Sequence, residues 1–204
     1  MGELNVLENF KNRNISSKIE VEDFISMVKE PKNKRKNKIE KARCLGKGCK
    51  EYDQLKSSLP SIALNFNYKN YINKKHVISS TGFIYIDVDK DIPTDFSDYS
   101  FVVASWKSLS NQGIGILVSV SGVTVENYKE AYRYVSELLN VESDNRAVSI
   151  DRLNVISYDK DIYYNEYYTT LDINKKVSLG NTKVTKEYRL RPNDTFYEIT
   201  DLLY

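Results

Sequence analysis

The stretch Gly82–Asp89, GFIYIDVD, decides the fold, because it carries the clearest strand pattern in the 204-residue chain. Successive side chains of a strand point to opposite faces, so this alternation predicts one purely aliphatic face, made by Ile84, Ile86 and Val88. The opposite face carries two aromatic residues and then two carboxylates: Phe83, Tyr85, Asp87 and Asp89. A buried strand that ends in paired acids is therefore the starting point for both fold and function.

Further strands are predicted on either side of this stretch. Two apolar runs follow it, YSFVVAS at Tyr99–Ser105 and GILVSVS at Gly115–Ser121, and SIALNF at Ser61–Phe66 precedes it. A last strand is predicted at Leu153–Tyr158. The order strand, strand, strand, helix, strand predicts an α+β sheet with helices packed on one face.

Three helices are predicted from apolar spacing and end signals. Ile19–Lys29 is amphipathic and stops before Pro31, and Lys50–Leu59 stops before Pro60. A longer helix follows Gly122, with Thr124 as its N-cap. Its expected core face consists of Tyr128, Ala131, Tyr132, Val135, Leu138 and Leu139.

Charge is segregated along the chain, although the net charge is only +2. Residues 29–50 hold ten Lys or Arg and two acids, a local charge of +8, so the remainder is net acidic. Such a block is either a solvated loop or an arm that contacts phosphates. The candidate nucleic-acid-binding residues are Lys32, Lys34, Arg35, Lys36, Lys38, Lys41 and Arg43.

Composition excludes several classes of protein. Two cysteines and one histidine do not make a disulfide scaffold, and they leave a multi-ligand zinc site short of ligands. Neither a signal peptide nor an apolar run of membrane-spanning length is visible. We therefore expect a soluble cytoplasmic protein with no membrane partner.

The pair Asp87-Val88-Asp89 is the first candidate for chemistry. Carboxylates at i and i+2 of a strand point the same way and repel one another unless a cation bridges them. Hard oxygen ligands of this kind suit Mg²⁺ or Mn²⁺ in phosphoryl transfer. The alternative is a strand that ends in solvated acids before a turn.

Two further segments add candidate residues. The loop SLSNQGIG, residues 108–115, brings hydroxyls and glycines to the start of a strand, where backbone N–H groups can approach a phosphate, or it is an ordinary turn. The segment from Asp144 to Asp159 places Arg152 among acids, as an ion pair or as a fork for triphosphate oxygens.

The ordered set of these motifs resembles the archaeo-eukaryotic primase superfamily, and within it the VirE N-terminal-like primase-polymerase domains of phages, plasmids and mobile elements. The resemblance spans roughly residues 20–170 and includes KSSLP at Lys56–Pro60. It implies a primase-polymerase catalytic core, two-layered and α+β, with an RRM-like antiparallel or mixed sheet. It also implies nucleotidyl transfer from nucleoside triphosphates on a single-stranded DNA template, as in phage or plasmid replication.

The resemblance also assigns roles to residues. Asp87, Asp89 and Asp144 become the catalytic carboxylates that bind Mg²⁺ or Mn²⁺, with Asp151 as the alternative third ligand. The residues assigned to nucleotide binding are Lys107, Ser108, Ser110, Gly113, Gly115, Arg152, Ser157 and Asp159.

One departure from the family concerns the nucleotide site. Gly115 stands where the superfamily places a His, or this subgroup often a Lys, to bind the incoming triphosphate. Either Lys107 or Arg152 then takes over the phosphate contact, or nucleotide binding is weakened or lost. The alternatives are thus a catalytically weakened nucleic-acid-binding module of primase fold, or a metal-dependent nuclease.

The predicted organisation is a domain over residues 19–172, with the basic arm at 29–50. It is flanked by an N-terminal extension, 1–18, and a C-terminal extension, 173–204, in which residues 194–204 form a short helix. The chain has no GxxxxGK[ST] motif, so a replicative helicase would be either a separate partner or a part of the protein beyond this sequence. If the protein is phage- or plasmid-encoded, its place is the bacterial host cell.

Overall fold

A computed structural model describes residues 3–90, 93, 95–143 and 148–175, and shows mixed α+β architecture over this part of the chain. The four described α-helices are α1 (Val21–Lys29), α2 (Asn33–Leu45), α3 (Lys50–Ser57) and α4 (Tyr128–Leu138). The described strands are β1 (Leu4–Leu7), β2 (Ser17–Ile19), β3 (Ser61–Ala63), β4 (Phe66–Tyr68), β5 (Val77–Ser80), β6 (Phe83–Val88), β7 (Val102–Lys107), β8 (Ile114–Ser121), β9 (Asn154–Val155), β10 (Tyr163–Tyr164) and β11 (Leu171–Asp172).

The larger sheet is built around β8. Strands β6 and β7 both pair antiparallel with β8, β10 pairs antiparallel with β7, and β11 pairs parallel with the end of β8. The register sets Gly115 opposite Asp87 on one side and opposite Trp106 on the other. Three of the predicted strands, near Gly82–Asp89, Tyr99–Ser105 and Gly115–Ser121, are therefore confirmed and adjacent.

The smaller sheet has the antiparallel order β2-β1-β3-β9. Strand β1 and the first two residues of β2 lie in the predicted N-terminal extension, residues 1–18, yet β1 pairs with β3 and is buried throughout. Strands β4 and β5 form a separate antiparallel pair. The N-terminal residues thus belong to the packed structure.

Helices cover both faces of the larger sheet, so the prediction that they pack on one face is wrong. The aliphatic face of β6 packs with α4, through Tyr132 and Val135 among others. The opposite face packs with α1, whose Phe24 ring meets the Trp106 ring edge-on at 5.0 Å between centroids. Because β6, β7 and β8 are apolar on both sides, each side needs an apolar cover.

Several local predictions are corrected at their ends. The predicted strand Ser61–Phe66 is split into β3 and β4, and between them the buried Asn65 accepts a hydrogen bond from the Tyr85 N–H at 2.8 Å. Helix α4 begins after Asn127, not Thr124, since these two residues exchange hydrogen bonds within the preceding turn. The predicted helix 194–204 lies outside the described residues.

The basic segment is helical, so its interpretation as a solvated loop is wrong. Helix α2 buries Ile39 and Ala42, which are three residues apart and lie on one face, against Tyr52, Leu59 and Leu109. A single narrow apolar stripe is enough to hold the helix while most of its surface stays charged. Among the described residues, none of the helices has the length and apolar character needed to cross a membrane.

Candidate functional site

An open groove of about 530 Å³ lies across the ends of the two sheets. Residues of β6 and β7, of the α2–α3 turn and α3, and of the segment 149–157 line it. The polar residues that line it are Arg13, Lys47, Tyr52, Lys56, Tyr85, Asp87, Asp89, Ser108, Ser110, Ser149, Asp151, Arg152, Asn154 and Ser157. The groove thus brings together seven of the residues predicted for metal and nucleotide binding: Asp87, Asp89, Ser108, Ser110, Asp151, Arg152 and Ser157.

Asp87 and Asp89 share this groove, as their spacing predicted. The side chain of Asp87 is 17% exposed, and its Oδ2 accepts a hydrogen bond from Arg152 Nη2 at 2.9 Å. Its Oδ1 accepts another from the Tyr85 hydroxyl at 3.2 Å. Asp89 is 52% exposed and lies 3.6 Å from the Lys47 ammonium. One carboxylate is therefore tightly held, and the other is open to solvent.

The predicted third metal ligand, Asp144, lies outside the described residues. Its alternative, Asp151, lines the groove, but its Oδ2 pairs with Arg13 at 3.1 Å and its Oδ1 accepts from the Ser149 hydroxyl. Within the described ranges there is no group of three His, Cys, Asp or Glu side chains that could hold a metal ion. Asp87 and Asp89 remain a two-carboxylate set, which suffices where Mg²⁺ takes its other oxygens from water and phosphates.

The serine- and glycine-containing turn is ordered by its own hydroxyls. Ser108 Oγ accepts from the Gly113 N–H at 3.3 Å and shares a hydrogen bond with Ser110 Oγ at 3.1 Å. A Cβ on Gly113 would lie 2.5 Å from the Val88 carbonyl oxygen and 2.6 Å from Asp89 Oδ1. Glycine at this position therefore lets the turn approach Asp89 closely.

The aromatic rings beside position 115 explain why a glycine stands there. A Cβ there would lie 2.5 Å from the Tyr85 ring and 2.9 Å from the Trp106 ring. These two rings are 5.7 Å apart between centroids and are buried. The space next to Asp87 that a longer residue at position 115 would enter is thus filled by Tyr85 and Trp106.

Arg152, Ser157 and Asp159, which the resemblance assigns to nucleotide binding, fall into two places. Arg152 reaches the groove, whereas Asp159 is buried and accepts from the Lys107 N–H at 2.9 Å. Ser157 lines the groove and donates to the Lys107 carbonyl at 2.6 Å. The Lys107 ammonium lies 4.0 Å from Asp159 and does not line the groove. Of the two predicted phosphate contacts, only Arg152 is positioned there.

The basic residues of α2 also divide into two sets. The Arg43 guanidinium donates to the carbonyls of Ser108, Leu109 and Tyr158, and burial lowers its pKa. Arg35 donates to the Met27 carbonyl, and burial lowers its pKa as well. These two arginines join elements of the fold. The lysines are partly or fully exposed: Lys32, Lys34, Lys36, Lys38 and Lys41.

Sequence reasoning missed three cations of the groove. Arg13 is 138 positions from its partner Asp151, so no local pattern links them. Lys56 belongs to the KSSLP motif, which carries no sign of a groove position, and its ammonium lies 5.3 Å from the centroid of the Phe10 ring. Lys47 stands between Gly46 and Gly48, and that arrangement was the one available sequence sign of an exposed turn.

Fold and groove together define a mixed α+β domain whose open site carries paired acidic and basic side chains. The chain belongs to the family described as BT4734-like, N-terminal domain, whose model matches residues 54–164, just over half of the chain. That range includes Asp87, Asp89 and Arg152 but neither α1 nor α2. No curated protein and no solved structure matches the chain.

Proposed function

We propose that the protein is a primase-polymerase-like nucleotidyltransferase, which adds nucleotides from nucleoside triphosphates to a strand paired with a single-stranded DNA template. The observation that carries the proposal is the placement of Asp87, Asp89 and Arg152 in one groove, with Arg152 Nη2 at 2.9 Å from Asp87. The groove thus combines acceptors for divalent cations with donors for phosphates, which phosphoryl transfer to a hydroxyl requires.

The residues divide the work by charge. Asp87 and Asp89 provide hard oxygen ligands for Mg²⁺ or Mn²⁺, which when bound activate the attacking hydroxyl and neutralise the leaving pyrophosphate. Arg152 donates to Asp87 through Nη2 and presents its other guanidinium N–H groups to triphosphate oxygens. The Tyr85 hydroxyl, through its hydrogen bond to Asp87, fixes the orientation of that carboxylate.

Helix α2 supplies the proposed template contact. It lies beside the groove because Arg43 ties it to the carbonyls of Ser108 and Leu109. Its exposed lysines then form a positive surface next to the site, which would follow a phosphate backbone without sequence preference. A replicative helicase that unwinds the template is proposed as a separate chain.

Primer synthesis on single-stranded DNA with Mg²⁺ or Mn²⁺ tests the proposal. We expect the wild-type protein to make product, and Asp87→Asn with Asp89→Asn to reduce synthesis to background. Asp89→Asn alone separates chemistry from folding, because this half-exposed side chain contributes little to stability. Asp98→Asn, an exposed acid outside the groove, is the matched control. Undiminished synthesis by the double variant would contradict the assignment.

A second candidate function is a nucleic-acid-binding module of the same fold without nucleotide chemistry. Gly115 favours it, because Tyr85 and Trp106 fill the space of a phosphate-binding side chain. Under this alternative the wild-type protein binds single-stranded DNA but makes no primer. It also binds Mn²⁺ no more tightly than the variant with Asp87→Asn and Asp89→Asn. Calorimetric titration of both proteins with Mn²⁺ distinguishes the two functions.

A further inference from the structure

Each of the three carboxylates that line the groove among the described residues faces its own cation. Asp87 pairs with Arg152 at 2.9 Å, Asp151 with Arg13 at 3.1 Å, and Asp89 with Lys47 at 3.6 Å. The Lys47–Asp89 pair has the longest distance of the three. It is also the most exposed, since about half of each side chain is accessible to solvent.

The three pairs differ in how easily they exchange partners. Arg152 holds a carboxylate that is mostly buried, and Arg13 donates to Asp151 and also to the Ile72 carbonyl. Breaking either pair leaves a buried or multiply bonded group without its partner, which is costly. A half-exposed ion pair contributes little to stability, so Lys47 can leave Asp89 at small cost.

The backbone around Lys47 also favours an exposed, projecting side chain. Gly46 and Gly48 adopt φ values of +74° and +101°, and a Cβ on either would meet nothing within 4 Å. These glycines therefore serve the turn conformation and not close packing. The turn joins α2 to α3, and Arg43 fixes the end of α2 to the Ser108–Leu109 turn. The Lys47 side chain is thus exposed and weakly paired, whereas the end of α2 that carries its turn is held by the hydrogen bonds of Arg43.

The remaining lysines near the site are engaged elsewhere. Lys56 lies over the Phe10 ring, and Lys107 reaches Asp159 outside the groove. Lys47 is therefore the groove lysine that lies closest to the exposed carboxylate of the metal-binding pair. Position 115 is a glycine, so Lys47 adds a cation to a groove that has no lysine or histidine at that position.

We propose that Lys47 is a phosphate-binding residue that exchanges partners, pairing with Asp89 when no metal is bound and with a triphosphate oxygen once a divalent cation binds Asp89. This inference rests on the proposed function, whose metal pair it uses. A cation and an ammonium compete for the same Asp89 oxygens, so metal binding releases Lys47 beside the phosphates that arrive with the metal.

The exchange predicts two effects of opposite sign in Lys47→Gln. Without nucleotide, Mn²⁺ binds more tightly, by up to about fivefold, because its competitor is gone. With saturating Mn²⁺, a methylene-bridged nucleoside triphosphate that cannot transfer its nucleotide binds about tenfold more weakly, because a charged hydrogen bond is lost. A merely structural role for Lys47 would move both affinities in the same direction.

Calorimetric titration of the full chain measures both affinities, and Lys50→Gln is the matched control. Lys50 is an exposed lysine three residues away that does not line the groove, so both affinities should equal those of wild type. The proposal is overturned if Lys47→Gln lowers both affinities, changes neither, or if wild type binds neither probe.

Primer synthesis assayed in parallel keeps this inference separate from the proposed function. If Lys47→Gln raises the affinity for Mn²⁺ and lowers that for the nucleotide analogue while wild type makes no primer, the exchange is supported and the nucleotidyltransferase proposal is contradicted. Synthesis by wild type with unchanged affinities in Lys47→Gln would support the enzyme and overturn the exchange.

Discussion

At the scale of single residues, Gly115 shows how a position can be fixed by its neighbours. It lies opposite Asp87 and Trp106 in the sheet, and the Tyr85 and Trp106 rings close over it. Any side chain there would have to displace an aromatic ring that is buried in the core between the larger sheet and α1. The packing of the Tyr85 and Trp106 rings thus accounts for a glycine at the position where the primase pattern has a histidine or a lysine.

Gly115→Ala is predicted to destabilise the fold by about 1–3 kcal/mol, because its Cβ overpacks a site with a contact of 2.5 Å. Urea unfolding followed by tryptophan fluorescence measures the change and reports directly on Trp106, which is the chain's one tryptophan. Ser121→Ala, an exposed position on the same strand, should change the free energy of unfolding by less than about 0.5 kcal/mol. Equal stabilities of the two variants would argue against the packing account.

At the scale of elements, α2 combines a structural role with a proposed binding role. Its buried Ile39 and Ala42 and its two inward arginines hold it to the fold, while its lysines remain available to solvent. Arginine suits the inward positions because its planar guanidinium can donate to several carbonyls at once. The local charge of +8 therefore overstates the cations that are free to meet a phosphate backbone.

Lys34→Gln with Lys41→Gln is predicted to weaken single-stranded DNA binding. It should also reduce the slope of log affinity against log salt concentration by about 0.7 for each lysine that contacts a phosphate. Fluorescence anisotropy at several salt concentrations measures both quantities. Lys129→Gln, an exposed lysine on α4, is the control and should leave the slope unchanged. An unaltered slope in the double variant would place the template elsewhere.

At the scale of the whole molecule, the buried tyrosines make the free energy of unfolding depend on pH. Burial raises the pKa of Tyr85 and of Tyr128 above the ordinary value, and the Asp87 carboxylate raises that of Tyr85 further. Burial likewise raises the pKa of Tyr68, which donates to the Ile150 carbonyl. The folded state therefore keeps these phenols neutral at a pH where the unfolded chain would ionise.

The free energy of unfolding is predicted to be independent of these tyrosines below pH 10 and to fall as pH rises above about 10. The unfolded chain then loses protons that the folded state retains, at about 1.4 kcal/mol per pH unit for each tyrosine. Tyr128→Phe should make the alkaline slope shallower by up to that amount in urea unfolding. Tyr167→Phe should leave it unchanged, because the Tyr167 ring is 89% exposed. A wild-type slope in Tyr128→Phe would contradict the assignment.

The sequence by itself determined the features that depend on local periodicity. The alternation of GFIYIDVD established which residues of β6 face the aliphatic core. It also predicted that Asp87 and Asp89 share one side, and both line the groove. The spacing of Val21, Phe24, Ile25 and Val28 likewise established the buried face of α1. Such patterns follow from the geometry of one strand or one helix, so neighbours far along the chain do not alter them.

Only the tertiary structure decided which distant groups meet. It brought Arg13 to Asp151 and Lys47 to Asp89, placed α1 and α4 on opposite faces of the sheet, and turned Arg43 inward while neighbouring lysines stayed in solvent. Residues that meet in this way share no sequence period, because their contact depends on the pairing of strands and the packing of helices far apart in the chain. The sequence therefore supplied the carboxylates of the groove, and the fold supplied their partners.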